Sequence, residues 1–494
     1  MIRYICIIWL CMPSIVLADS NKVDKKDLYV REAFFLAKQG EYIDAISRLD
    51  FALGKVGGLG NPKSKSIYFH IGNKKITAGD FELSYRMFDR VKSTYEDVIK
   101  KNHYQEVRNA AMSQLAGIYM RGGEPKKALD RISTIEIQNA ELSEEELYSL
   151  SQIYMMTGKY PEAVNLLRKL EKADRYQYFA DYNLAIALLK SGRESEGFEQ
   201  LDKLGKASGE NKVDSALIDK ANLLMGSLML EKNQPVFAKQ HFNRARLSGP
   251  YSNKALLGSG WADVLQNRYD QALVPWTVLS KRDVSDIYVQ ESLLGVPFAY
   301  AKLELPGRAH LQYSKAVEAY DSELSRLDAS IQSVKDGKFM RNLFSMGVKK
   351  GRNWASNIQS VAATPETQYL SELLKFSDIQ LSLDNYMDLN AMYRKVEAWE
   401  KYLDEKFLKS GQSASSGLAK AGKNVQQLRG RMKKSKQKTF AILSKQRKLL
   451  EAMVIDELKN RRKTVSEYRV QAGIGMIESY ESANNQNVLP RGIE

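Results

Sequence analysis

One phrase returns along this chain at a spacing of 34 to 35 residues where it is clearest, from Ala128 to Ala163, Ala163 to Gly197 and Ala238 to Ala272. A period of that length obliges a chain to stack copies of one small unit, because each copy bares an apolar face that only its neighbour covers. The phrase is plainest at Leu150, Tyr154, Gly158, Tyr160, Ala163 and Leu167. Leu150 and Tyr154 lie one turn apart on a helix, and Gly158 supplies the left-handed residue that ends it. Ala163 and Leu167 then set a small and a large side chain on the next helix. Ser143 with Glu146 three residues on reads as a capping box at the start of the first helix.

Aligned on the small residue of the second helix, the phrase occurs at Ala45, Ser84, Ala128, Ala163, Gly197, Ala238, Ala272 and Ala309. A turn residue stands five positions earlier in seven of them, at Gly40, Gly79, Gly123, Gly158, Gly192, Asn233 and Asn267. Eight helical hairpins are expected, with gaps of up to 44 residues marking insertions. The eighth departs from the pattern, since Glu304 holds its turn position and Pro297 falls in its first helix.

These phrases resemble the tetratricopeptide repeat across residues 19–320. The resemblance implies an all-α fold, a right-handed superhelix of hairpins whose first helices line a concave groove. Carried over position by position, the groove would be lined by Tyr148, Gln152 and Met155, then Phe179, Tyr182, Ile186 and Leu189, then Leu223, then Leu257, Trp261 and Val264, then Leu294 and Phe298. Such an apolar, aromatic wall suits an apolar helix or extended segment better than a charged peptide end. Each of these side chains has a plainer reading as core between repeats, and the chain's own C-terminal helices are a second occupant for the groove.

Residues 1–18 read as a cleavable export signal. Arg3 gives a positive start, Ile5 to Leu10 and Ile15 to Leu17 an apolar stretch, and Val16 and Ala18 the small residues before a cut, so the mature chain would begin at Asp19 in the periplasm. Pro13 and Ser14 interrupt the stretch, which falls short of the roughly 20 residues of a bilayer span. Trp9 and Leu10 are too bulky to precede a lipid-modified Cys11. Cys6 and Cys11 are the only cysteines, so cleavage removes disulfide and thiolate chemistry from the mature protein.

Beyond the repeats, Tyr320 to Val334 continues as a helix with Leu324, Leu327 and Ile331 on one face. Within 321–363 follows an insertion around Lys338 to Gly347 that mixes Phe and Met with basic residues. It reads as a loop tucked into the neighbouring repeat, or as a segment that grazes an anionic membrane. Residues 364–482 read as a long helical hairpin or coiled coil. Thr364 and Pro365 open a helix running towards Phe407, with Tyr386, Leu389, Tyr393, Val396, Trp399, Leu403 and Phe407 on one stripe. After a Ser/Gly connection, a last helix from Leu418 to Ser482 carries Phe440, Leu443, Leu450, Val454, Leu458, Val465 and Tyr468 near coiled-coil spacing. This helix pairs with its predecessor or with a second copy of the chain, forming a homodimer. Residues 483–494 are expected to be a disordered tail.

Between Leu418 and Lys463 fifteen Lys or Arg meet only Glu451, Asp456 and Glu457, so one segment carries most of the net charge of +15. Its densest part is Arg429, Arg431, Lys433, Lys434, Lys436 and Lys438, whose charges are expected to surround the helix and to face an acidic lipid, polymer or protein. Export and the absence of interleaved aromatics argue against nucleic acid.

Catalytic chemistry is not legible. His70, His103, His241 and His310 are dispersed, with no pair at metal-binding spacing. Gly57 to Ser64 only approaches a phosphate loop, and Gly258 with Gly260 only approaches a nucleophile elbow. No cofactor or metal is implied. The expected function is a non-enzymatic periplasmic scaffold that joins envelope proteins through the groove, for secretion, cell-wall assembly or energised transport. The alternative is a binding module for an acidic polymer or glycan of the envelope.

Overall fold

The computed structural model describes residues 68–71, 74–77, 88–101, 105–121, 124–132, 144–171, 176–345, 364–365, 368–410 and 418–485, with Glu32, Phe35 and Leu36. Residues 1–18, Gly40, Ala45, the Gly57 to Ser64 segment, Gly79, Ser84, Gly123, Ser143 and most of the expected tail lie outside these residues. Two compact units divide the chain: one runs to Met225 and includes 244–249, and the other takes 226–243 and everything from Pro250.

The first unit contains two short antiparallel strands, β1 (Tyr68–Ile71) and β2 (Lys74–Thr77), with Tyr68 opposite Thr77 and Ile71 opposite Lys74. This corrects the second repeat, whose first helix was expected here. Phe69, Ile71 and Ile76 are β-formers, and the intervening Gly72-Asn73 is a two-residue hairpin sequence, so local propensity wins over the repeat frame. Helices follow at α1 (Phe88–Lys101), α2 (Gln105–Arg121), α3 (Pro125–Ile132), α4 (Glu144–Met156), α5 (Tyr160–Arg168), α6 (Gln177–Lys190), α7 (Glu194–Gly205) and α8 (Lys212–Glu231). The second unit continues with α9 (Pro235–Arg244), α10 (Ser252–Val264), α11 (Tyr269–Ser280), α12 (Ile287–Lys302) and α13 (Pro306–Lys335). Repeats three to eight are thus the pairs α2/α3 to α12/α13, and the fold is an all-α tetratricopeptide-type array with, among the described residues, one small ribbon.

Two local devices recur in these pairs. Ala128, Ala163, Gly197, Ala238, Ala272 and Ala309 are all buried, as the small residue of each second helix must be for its partner to approach. At the turns, Gly158, Gly192, Asn233, Asn267 and Glu304 all take positive φ, between 55° and 82°. Each closes the same Schellman turn. In the fourth repeat, Lys159 N–H donates to Tyr154 O at 2.8 Å and Gly158 N–H to Met155 O at 3.2 Å, and in the eighth, Leu305 N–H donates to Tyr300 O at 3.0 Å. Glu304 therefore keeps the turn that its side chain disfavours. Glu304→Gly is expected to raise the denaturation midpoint of the second unit, by about 0.5 to 1 kcal/mol of stability. A lowered midpoint in chemical denaturation would instead assign Glu304 a compensating side-chain contact.

The second unit shows how its repeats lock. Phe242 of α9 lies against Gly226 and Gly258, where an added Cβ would come within 2.6 Å of the ring in both cases. Trp276 of α11 sits in the same way between Gly260 and Gly295, fully buried, its Nε1 donating to Leu257 O at 3.1 Å. Large rings on second helices are thus seated on glycines of the flanking first helices. Pro297 is accommodated within α12, buried and with the helix running through it.

The C-terminal segment completes this pattern. α14 (Lys338–Ser345) is a helix, which corrects the expected loop: Phe339, Met340 and Leu343 fall on one face and are buried, so these three residues of the insertion are core. The helix expected to start at Thr364 starts later and in two pieces, α15 (Leu370–Leu373) and α16 (Ser377–Ser410). Tight turns at Lys375 and Phe376 separate them, each N–H bonding three residues back. The break lets Tyr369, Leu370 and Leu373 enter the core, where Tyr369 Oη donates to the buried Glu323 Oε1 at 2.7 Å.

The last helix, α17 (Leu418–Asn485), runs three residues into the expected tail. It packs antiparallel along α16 through Gln446 to Ser382 (3.0 Å) and Lys436 to Glu400 (2.7 Å), and along α13 through Arg462 to Asp328 (2.6 Å) and Arg469 to Asp321 (3.0 Å). Leu443, Leu450, Val454, Leu458 and Val465 are buried there, with Tyr468 half-buried against them. Phe440 is corrected: it leaves the seam and is exposed beside Tyr393, their ring centroids 5.8 Å apart. The seam is spent within the chain, so pairing of two copies would have to use another face. Near its end, Gly475 receives Tyr313 of α13, which stands four residues after Ala309 as Trp276 stands four after Ala272. α17 thereby takes the place that the first helix of a ninth repeat would hold.

Candidate protein-binding groove and basic helix

In the first unit, α4, α6 and α8 supply the expected groove positions. Tyr148 is corrected from groove to core: it is buried, stacks on Tyr176 at 5.1 Å, meets Phe179 edge-on at 6.4 Å, and its hydroxyl accepts from Asn183 Nδ2 at 3.1 Å. Burial pushes its phenol above the usual range. Leu223 is likewise buried. Gln152, Met155, Phe179, Tyr182, Ile186 and Leu189 are half-buried. Lys220 of α8 places its ammonium 4.3 Å from the centre of the Tyr182 ring, and burial pushes its pKa below the ordinary lysine value. On the same helix as Tyr182, the Asp181 carboxyl is lifted by burial to about 6, with Gln200 Nε2 donating to it at 2.9 Å.

In the second unit, Leu257 is also corrected to core. Trp261 is held in place without being covered. It is 36% exposed, packs edge-on against Trp276 at 5.2 Å, and donates from Nε1 to Glu291 Oε1 at 2.7 Å. Val264 and Phe298 are half-buried, and Phe298 meets Tyr269 edge-on at 6.2 Å. Leu294 is half-buried against the C-terminal core. Ile474 of α17 was not anticipated. It precedes Gly475 as Leu294 precedes Gly295 and Leu257 precedes Gly258, and it is 53% exposed. α17 thus lengthens the row of first helices and leaves Trp261 open. No periodic signal ties Ile474 to the repeats, because the intervening helices break the frame.

On the basic helix, Arg431, Lys433, Lys434 and Lys438 are exposed. The side chain of Arg429 lies outside the described residues. Lys436 is corrected: it is half-buried with Nζ 2.7 Å from Glu400 and 3.4 Å from Glu397, and the hydrogen bond to Glu400 holds its ammonium above the usual range. It joins α17 to α16 instead of reaching for a partner.

Among the described residues no group of three His, Cys, Asp or Glu is placed to hold a metal ion. No helix among them is long and apolar enough to cross a membrane.

No protein-family model matches the chain, and no curated protein does. Solved structures similar to it are repeat proteins. A tetratricopeptide repeat protein from Parabacteroides merdae is 15% identical, with a TM-score of 0.35, over 55% of this chain and 98% of that one. The yeast Tom70 structure is 12% identical, with a TM-score of 0.26, over 60% of this chain and 78% of that one. The structure of Naa15/Naa10 bound to HypK is 11% identical, with a TM-score of 0.36, over 93% and 68% of the respective chains. At such scores the likeness says nothing of what this surface binds.

Proposed function

We propose that the chain is a non-enzymatic, periplasmic protein-binding scaffold of a bacterial envelope machine, which grips an apolar helix or extended segment of an exported partner with its first helices. Trp261 carries this reading. A folded protein gains nothing in stability by keeping an indole in water, yet here one is oriented by Trp276 behind it and Glu291 beside it, one turn from Val264 and the exposed Leu265 on its own helix. Pre-organised aromatics of this kind are the residues on which interface energy concentrates. The apolar surroundings favour protein over a highly hydrated guest. The signal-like pattern of residues 1–18, with Arg3, its apolar stretch and Ala18, supports the location.

The test is retention of proteins from envelope extract on the immobilised full chain, with and without prior digestion of polysaccharide. A defined protein should stay bound after digestion. Trp261→Ala with Phe298→Ala should weaken its binding by about tenfold or more, the usual loss at a hot spot. Retention of polymer alone would replace this reading with that of an acidic-polymer or glycan module.

A further inference from the structure

The face of α17 opposite its buried seam carries a second feature, separate from the groove. From Leu418 to Leu450 the sequence has no Asp or Glu. Within that stretch Arg431, Lys434, Lys438, Ile442, Lys445 and Leu449 follow one another in steps of three and four, which places them on one stripe of the helix. All six are exposed, Ile442 at 54% and Leu449 at 53%, while Leu443 and Leu450, next to them in sequence, are buried. Among the described residues none of these four cations has a carboxylate partner, in contrast to Lys436, Arg447 and Arg461 of the same helix. The charges therefore do not surround the helix evenly. Lys436, Arg447 and Arg461 are paired, and four unpaired cations share a face with two aliphatic side chains, over roughly 27 Å of helix, while the exposed Lys433 lies off that face.

We propose that this stripe docks on the surface of an anionic phospholipid bilayer, with the lysines at the phosphates and Ile442 and Leu449 entering the headgroup boundary. Charge complementarity selects an acidic partner, and the interleaved aliphatics select one with apolar matter just beneath its charges. A polysaccharide or a nucleic acid has no such layer. An acidic protein does, but the stripe is built mostly of lysine, a point charge without arginine's fixed fork and one depleted at protein interfaces. A fluid array of headgroups makes no demand on geometry.

Flotation of the full chain with vesicles tests this. The chain should float with phosphatidylcholine vesicles containing phosphatidylglycerol and not with phosphatidylcholine alone. Lys434→Glu, Lys438→Glu and Lys445→Glu together should weaken binding by about 100-fold, from roughly fivefold per lysine. Ile442→Ser with Leu449→Ser should bind at low salt but release at a lower salt concentration than the unaltered chain. Circular dichroism checks that each variant is folded, and the corresponding Lys→Gln set serves if the reversed charges disturb the helix. Failure of the unaltered chain to float with anionic vesicles overturns the proposal, as does normal flotation of the folded lysine variants. Displacement by polyglutamate, together with serine variants that bind normally, would assign the stripe to an acidic protein. Trp261→Ala should float normally, so this result and that for the groove stand or fall apart.

Discussion

Trp276→Ala is expected to remove about 3 to 5 kcal/mol from the second unit, the usual cost of deleting a fully buried aromatic. The value should sit in the upper part of that range because nothing nearby can collapse into the space. Gly260 and Gly295 face the ring with no side chains of their own, and the hydrogen bond from the indole to Leu257 O at 3.1 Å would be lost as well. Trp261 would lose the ring on which it leans at 5.2 Å, so binding at the groove should weaken with stability. Chemical denaturation of the full chain, followed by far-ultraviolet circular dichroism, checks this. The transition of the second unit should move while that of the first stays in place. A loss below about 1 kcal/mol would mean that the indole is not the wedge that its burial implies.

Lys239→Met should be nearly as damaging, by about 3 kcal/mol, through charge instead of volume. Asp263 on α10 is wholly buried, and Lys239 Nζ on α9 lies 2.7 Å from both of its carboxylate oxygens. Arg268 approaches only to 4.0 Å, too far to replace the lysine. Removing the ammonium leaves a buried carboxylate without its counterion, which is far costlier than never having had the pair. The double change Lys239→Met with Asp263→Leu should therefore recover most of the loss. Equal midpoints for the single and double variants would refute the pairing as the cause.

The repeats were legible because each depends on two residue choices with strict local reasons. A small residue must sit where helices touch, as at Ala163 or Ala272, and glycine or asparagine must sit where φ turns positive. Glu304 shows the rule holding even against the residue type. The β-hairpin at 68–77 was legible in principle, from Gly-Asn between β-formers, but the repeat frame spoke louder. Groove and core could not be separated at Tyr148, Leu223 and Leu257, because periodicity assigns a face and not a depth. Burial there depends on neighbours such as Tyr176 and Asn183, at the start of and within another helix. The stripe on α17 was hidden for the same reason: until the seam was located, no face of the helix could be called its back.

The seating of Tyr313 on Gly475 joins positions far apart in the chain. The described repeats before it are each followed directly by the next first helix, so each can settle as soon as that helix exists. The eighth must wait for a segment made almost last. Until then its open end is a template onto which the array of a second molecule could stack, and the chain is at its most exposed to misassembly just before it is finished. A molecule shortened by its final dozen described residues would lose little mass and would carry that open end permanently.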